Sequence, residues 1–221
     1  MPADQAAGLR RRGARQPQRC IYCFSASADS SIRLAHALHQ IGRVPLLIDT
    51  QGRLFSASSP RSLFDWKNQL ERRQLHTLPQ AYGDGWYAPG MRSDEPALFG
   101  VTNSYDYVMF DLGWDNADIA LLPGAGHTVV AEVRRTDESM LHAFAVLKTL
   151  AHSGGTFSVG LLGDRVACDQ VRAAACHFLE ERFAHAVFNV ANQDDAFAAL
   201  AVRMAGEETG LTACSYKTGI T

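Results

Sequence analysis

Two aspartates are the first candidates in this sequence for catalysis or metal binding. Asp49 and Asp111 each stand at the end of a short apolar run that indicates a β-strand, and the second of these runs is Tyr107–Phe110. In open α/β sheets, ligands bind at the carboxyl ends of the strands, so a carboxylate there can hold a metal ion or a water molecule. Asp also ends strands for structural reasons alone. We take Asp111 as the first candidate catalytic residue and Asp49 as the second.

The first loop of the chain has the position of a phosphate-binding loop but not its residues. It covers Ser25–Ser31 and follows the predicted strand Cys20–Phe24. A phosphate loop needs glycines whose backbone N–H groups approach the anion, a Lys for the terminal phosphates and a Ser or Thr for Mg²⁺. No Gly lies between Gly13 and Gly42, and the first Lys is Lys67. We therefore interpret the loop as a connection that does not bind nucleotide tightly.

Weak anion binding at this loop stays open. Hydroxyl groups and a helix N-terminus both attract negative charge. The candidate contacts are Ser27, Ser30 and Ser31, together with Gly113 after the strand that carries Asp111.

A metal site is not expected. Cys20 and Cys23 form a C-x-x-C pair, but within one strand they would point to opposite faces. The sequence offers no second pair of Cys or His at ligand spacing, so both are interpreted as core residues.

Composition limits the class of protein. The chain has 221 residues, 47% of them hydrophobic, which suffices for one domain with a substantial core. The net charge of −2 implies no general attraction to nucleic acid. Five scattered Cys favour a reducing cytoplasm over a disulfide scaffold. No apolar run reaches the roughly 18 residues of a membrane span, and the N-terminus lacks the apolar region of a secretory signal.

Apolar periodicity predicts alternating strands and helices, typical of an α/β protein with a doubly wound, mostly parallel sheet flanked by helices. The predicted strands are Cys20–Phe24, Val44–Ile48, Tyr107–Phe110, Thr128–Val133, Phe157–Leu162 and Ala186–Val190. The predicted helices are Ile32–Ile41, Pro60–Arg73, Thr136–Leu150 with Thr136 as N-cap, Arg165–Arg182 and Asp195–Ala205. Residues 76–104 are expected to be irregular, apart from a short strand near Ala97–Val101.

The chain divides into a basic leader, residues 1–19, and a single α/β domain, residues 20–221. The leader holds five Arg and one acidic residue. It could be a disordered basic tail, a Ser-poor transit segment of the mitochondrial type, or a docking peptide that folds on a partner.

Several of these segments resemble the MinD/ParA-like (deviant Walker) ATPases, above all the flagellar-number regulators called FlhG or FleN. The leader contains DQAAGLR, which is similar to the DQAxGLR element at that family's N-terminus. The other matching segments are Leu34–Leu38 with Gly42, Leu46–Asp49, Tyr105–Asp111, Val129–Val133 and Thr136–Lys148. The likeness covers most of the chain except about 51–104.

The resemblance implies a P-loop NTPase-like fold with ATP and Mg²⁺ as cofactors, Asp111 as the Walker B acid, and a homodimer. In the family, the N-terminal element stimulates FlhF, a GTPase of the signal-recognition type. The corresponding partner-binding residues here are Asp4, Gln5, Gly8, Leu9 and Arg10. A flagellar transcription regulator or switch-complex proteins are further implied partners. The implied location is the cytoplasm, peripherally at the inner membrane or the cell pole.

The sequence departs from the family at the residues that handle ATP. The KGGVGKT loop is absent, Gln51 replaces the second acid of the DxD motif, and Val159–Leu162 offers no match to the Asn that helps to hold adenine. The family's basic, membrane-holding C-terminal helix is also poorly matched. Here Phe197, Leu200 and Met204 form an apolar stripe with Arg203 as the only base beside it, so membrane contact should be weak or absent.

These departures favour a regulator that has lost, or nearly lost, ATP hydrolysis and binds no cofactor tightly. One alternative is a working ATPase with an atypical loop. Another is a MinD-like accessory of a different envelope system, such as cellulose secretion. The missing Lys distinguishes the regulator from a working ATPase. The DQAAGLR element distinguishes the regulator from an accessory of another envelope system.

Overall fold

A computed structural model describes residues 19–49, 53, 76–79, 105–114, 126–153, 157–190 and 195–215. The strands are β1 (Arg19–Phe24), β2 (Pro45–Asp49), β3 (His76–Pro79), β4 (Tyr107–Leu112), β5 (Gly126–Val133), β6 (Phe157–Gly163) and β7 (Val187–Asn189). The helices are α1 (Ala28–Gln40), α2 (Asp137–His152), α3 (Arg165–Phe178), α4 (Glu181–Ala186) and α5 (Ala196–Ser215).

The seven strands form one sheet in the order β3-β2-β4-β1-β5-β6-β7, and all pairs are parallel. β1 lies between β4 and β5, with Cys23 in register beside Asp111 on one side and Val130 on the other. α1 leads from β1 towards β2, whereas α2 leads from β5 towards β6. The direction of winding therefore reverses between β1 and β5. In open α/β sheets, ligands bind beyond the carboxyl ends of the strands at such a reversal. The predicted fold class is confirmed.

Helices cover both faces of the sheet, and the period of two in β1 divides its side chains between them. Cys20, Tyr22 and Phe24 join the core with α2, α3 and α4. Ile21 and Cys23 join the core with α1 and α5. Burial on both faces explains why the strands are nearly continuous apolar runs. The prediction that the two cysteines point to opposite faces as core residues is thereby confirmed.

The first helix begins earlier than the sequence predicted. Ser27 is the N-cap of α1, so Ser30 and Ser31 belong to the first turn of the helix rather than to the loop. At the other end, Gly42 has φ 78°, the left-handed conformation that favours glycine after a helix. Thr136 is confirmed as the N-cap of α2, where its side chain accepts a hydrogen bond from the Ser139 N–H.

The helix predicted over Arg165–Arg182 is wrong in its length. The backbone turns extended at Leu179, with φ −110° and ψ 164°, and α4 then begins as a separate helix at Glu181. Phe178, the last residue of α3, is 70% exposed. The apolar spacing continues through this point without Gly or Pro, so periodicity alone missed the break.

Two other predictions differ from the structure or fall outside it. β3, at the edge of the sheet, lies within the segment predicted to be irregular. The last helix extends to Ser215 instead of ending at Ala205. The helix predicted over 60–73 and the strand predicted over 97–101 lie outside the described residues, as do residues 1–18.

Candidate functional site

Asp111 is placed below the first turn of α1 by strand alternation. Tyr107 and Met109 point into the core shared with α1 and α5, so Asp111, two residues further along β4, points the same way. The Ser31 hydroxyl donates a hydrogen bond of 2.7 Å to Asp111 Oδ1. Asp111 has no exposed surface.

Arg53 supplies the positive charge that a buried carboxylate requires. Its guanidinium binds Asp111 with two nearly parallel hydrogen bonds, Nε to Oδ2 at 3.1 Å and Nη2 to Oδ1 at 2.8 Å. This two-pronged geometry is the strong form of the Arg–carboxylate pair. The side chain of Arg53 is 23% exposed, so the pair is largely removed from water.

The same guanidinium also joins the ends of two strands. Arg53 Nη1 donates to the carbonyl of Ser25 at 3.0 Å, and Nη2 donates to the carbonyl of Leu112 at 3.3 Å. The Ser25 N–H itself donates to the Leu112 carbonyl at 3.1 Å. Arg53 thus fixes the start of the first loop against the end of β4.

A second carboxylate lies on the other side of the α1 N-terminus. Glu132 lies two residues after Val130 in β5, so both side chains are on the face of the sheet that α1 covers. Its carboxylate accepts a hydrogen bond of 3.0 Å from the Ser30 hydroxyl. The other carboxylate oxygen accepts from Arg134 Nε at 3.1 Å. The Glu132 side chain is 17% exposed and that of Arg134 is 52% exposed. Two adjacent serines in the first turn of α1 therefore donate to two different acids.

These contacts determine what the N-terminus of α1 can hold. A phosphate favours backbone N–H groups and cations at a helix N-terminus, whereas here Asp111 and Glu132 lie on either side of it. The hydroxyls of Ser30 and Ser31 are already donors to these carboxylates. Lys148, the one lysine among the described residues, lies exposed on α2. In the described part of the site, the serine hydroxyls at the α1 N-terminus and the two carboxylates are therefore engaged with one another and with Arg53 and Arg134.

The thiol of Cys23 lies next to the Asp111 carboxylate on the neighbouring strand. Burial raises the pKa of this thiol well above its ordinary value, the charge of Asp111 raises it further, and a hydrogen bond from Ser31 lowers it only in part. Cys23 therefore stays a neutral thiol and is not a nucleophile at physiological pH.

The remaining predicted site residues take the following positions. Asp49 ends β2 and pairs in register with Asp111 across the sheet. Ser27 caps α1 through its backbone, and its side chain makes no capping hydrogen bond. Gly113 is buried directly after β4. The predicted partner-binding residues Asp4, Gln5, Gly8, Leu9 and Arg10 lie outside the described residues.

Two residues of the site went unrecognised in the sequence. Glu132 could have been noticed as an acid within an otherwise apolar strand. Arg53 gives a weaker signal, because it lies 58 residues from Asp111 in the chain and belongs to no recognisable element. Among the described residues, no group of three or more His, Cys, Asp or Glu side chains converges as a metal site, and no helix is long and apolar enough to cross a bilayer.

No protein-family model matches the chain, and no curated protein is significantly similar to it.

Proposed function

We propose that this protein is a regulator of the FlhG type, which acts through protein contacts on an FlhF-type GTPase and has lost, or nearly lost, ATP hydrolysis. The observation that carries the loss of hydrolysis is the pairing of Asp111. Its carboxylate receives the Arg53 guanidinium and the Ser31 hydroxyl, so it is not free to hold a magnesium ion or a catalytic water. The absence of a lysine and glycines in residues 25–31 supports the same conclusion.

The first experiment measures nucleotide binding. We expect no heat of binding when Mg·ATP is titrated into the full chain at sub-millimolar concentration, and no thermal shift, because residues 25–31 lack the glycines that let backbone N–H groups approach a triphosphate and the lysine that contacts it. Micromolar binding would contradict the loss of nucleotide function. ATP turnover that disappears in a folded Asp111→Ala variant would establish a working ATPase instead.

Support for the partner comes from the leader sequence. Residues 1–15 have few apolar side chains, among them Ala6, Ala7 and Leu9, and an isolated helix of this length is marginal in water. A partner would provide the missing surface. The Gln5 amide can both donate and accept a hydrogen bond, which suits it to orient a water molecule or a loop in the partner. Arg10 offers a rigid fork for a carboxylate or phosphate.

The second experiment measures GTP hydrolysis by the cognate FlhF. A synthetic peptide of residues 1–15 should raise its GTPase rate, and Gln5→Ala in this peptide should remove most of the increase. A scrambled peptide of the same composition is the matched control, because a basic tail without sequence specificity would act equally well in either order. Equal activity of the two peptides, abolished alike by high salt, would leave only non-specific charge attraction.

A further inference from the structure

Three apolar side chains lie together on the outer surface of α2 and α3. The ring of Phe178 packs edge-on against the ring of Phe144, with 6.2 Å between the ring centres. Leu141 lies one turn before Phe144 on the same side of α2. Phe178 is 70% exposed and Leu141 is 67% exposed. We call these three residues the α2–α3 patch. Apolar side chains that are contiguous on a surface mark a place where another segment binds, so the patch is a candidate docking surface.

The charged side chains described around the α2–α3 patch are mostly acidic. Glu138 precedes the patch on α2, whereas Glu180 and Glu181 follow it at the end of α3, and all three are exposed. Lys148, exposed on α2, contributes one opposing charge. A segment that complements this surface therefore combines apolar side chains with an excess of positive charge.

The leader has that composition. Residues 1–18 contain four Arg and one Asp, and Leu9 stands directly before Arg10–Arg12. The leader enters the domain at Arg19, whose guanidinium donates a hydrogen bond of 3.2 Å to the carbonyl of Met204. The charge and the sequence of the leader thus match the surroundings of the patch.

The leader also enters at a suitable edge of the sheet. Because all strands are parallel, α3 runs back from the carboxyl ends of the strands towards the edge at which β1 begins. Only β5 separates β1 from β6, which is a lateral distance of roughly 10 Å. The chain from Leu9 to Arg19 can span up to roughly 35 Å. Leu9 can therefore reach the end of α3 without any change in the described domain.

We propose that the leader docks onto the α2–α3 patch of its own chain, with Leu9 on the patch and the arginines beside Glu180 and Glu181. The docked leader covers exposed apolar side chains and is itself withheld from other proteins. A partner that binds the leader has to displace it from this surface first, so the contact is autoinhibitory. The docking does not depend on an FlhF-type partner, because both contacting segments belong to one chain.

The test is limited digestion of the full chain with trypsin, which cleaves after arginine, and mass spectrometry of the N-terminal fragments. Trypsin cleaves the leader only from its undocked fraction. Phe178→Ser should therefore raise the cleavage rate within Arg10–Arg15 about threefold, and high salt should raise the wild-type rate similarly, relative to a synthetic peptide of residues 1–18. Val202→Ser, the same kind of change at a residue of α5 that is 59% exposed, is the matched control and should leave the rate unchanged.

A double-mutant cycle identifies the contact. Leu9→Ser should raise the cleavage rate as Phe178→Ser does, and the two changes together should give no further increase, because the contact is already lost. Additive effects of the two changes would overturn the docking, as would an unchanged rate in Phe178→Ser. A wild-type rate that rises on dilution would overturn it as well, because the leader would then dock onto a second molecule.

A charge variant covers the case in which Phe178→Ser disturbs α3. Glu180→Gln combined with Glu181→Gln keeps every apolar side chain of the patch and removes two negative charges. This variant should be cleaved faster than the wild type at low salt and at the same rate at high salt, where the charges are screened. Equal cleavage of this variant and the wild type at both salt concentrations would show that these acids do not hold the leader, contrary to the proposal.

Discussion

Two thiols buried in the core of this protein, Cys23 and Cys168, are held in their neutral form because burial raises their pKa. The Sγ–H of Cys168 on α3 donates a hydrogen bond of 3.3 Å to the carbonyl of Leu162. Burial raises the pKa of Cys168 from 9.0 to about 12, and the charges of Asp164 and Asp169 contribute in the same direction. The folded state therefore keeps this proton over a pH range in which the unfolded chain releases it.

The sign of the resulting pH dependence follows directly. Below about pH 9 the thiol is protonated in both states, so the raised pKa costs nothing there. As the pH rises from 9.0 towards 12, only the unfolded state gains by ionising, and the free energy of unfolding should fall by up to about 1.4 kcal/mol per pH unit for this group.

Cys168→Ala isolates this contribution. The variant should lose some stability at pH 7 through its missing hydrogen bond and the lost packing of the sulfur atom, yet lose less stability than the wild type between pH 9 and 11. Urea unfolding at a series of pH values measures both the free energy of unfolding at pH 7 and its decrease between pH 9 and 11. Cys176→Ala, a change at an exposed thiol on the same helix, is the control and should leave the slope unchanged. An equal slope in Cys168→Ala and the wild type would contradict the buried-thiol explanation.

Some residues of the site can be recognised in the sequence and others cannot. Asp111 stood out in the sequence as an acid directly after an apolar run, although the structure places it inside β4, one residue before the strand ends at Leu112. Arg53 was missed because its importance depends on an ion pair across the fold, which no local pattern encodes. Ser30 and Ser31 were noted for their hydroxyls, but only the positions of Glu132 and Asp111 on neighbouring strands determine where those hydroxyls point.

Helix ends show the same difference between local and long-range information. Thr136 begins α2 with a side-chain hydrogen bond of 3.3 Å from the Ser139 N–H, and its type and position were enough to predict it. Ser27 begins α1 without such a bond, although its residue type is as suitable. α3 ends at Leu179 although the apolar period continues beyond it, so this period does not predict the end of the helix.

Paired substitutions at these two caps test the difference. Thr136→Ala should lower the free energy of unfolding by about 1 kcal/mol, the usual cost of a lost N-cap hydrogen bond. Ser27→Ala, which removes a hydroxyl at the same cap position without breaking a capping bond, should have a clearly smaller effect. Denaturant unfolding of both variants under the same conditions measures the two values. A loss at Ser27 as large as that at Thr136 would show that its hydroxyl caps α1 in solution.

At the scale of the whole molecule, the apolar stripe of α5 is used for packing. Leu200 and Met204 are buried in the core beside α1, and the guanidinium of Arg33 lies 4.1 Å from the ring centre of Phe197. The sequence showed this stripe but could not show which surface it faces. Because the stripe faces inward, Leu200 and Met204 are not exposed to a bilayer.

Vesicle sedimentation tests this conclusion. With a net charge of −2 and a covered stripe, the full chain should stay in the supernatant with anionic vesicles at physiological salt. Val202, 59% exposed on the outer side of α5, provides the check. Strong co-sedimentation that is lost in Val202→Asp would mean that the exposed side of α5 binds membrane, contrary to the prediction.

The strand order also has a consequence for synthesis on the ribosome. Of the described strands, β1 is the first to be made, and its two neighbours in the sheet are β4 and β5, so that Arg19 meets Tyr107 on one side and Gly126 on the other. At about 5–20 residues per second, the apolar segment Cys20–Phe24 waits several seconds before either neighbour exists. A nascent chain that ends before Tyr107 therefore carries an unpaired hydrophobic strand, which makes interrupted translation products natural targets for chaperones and proteases.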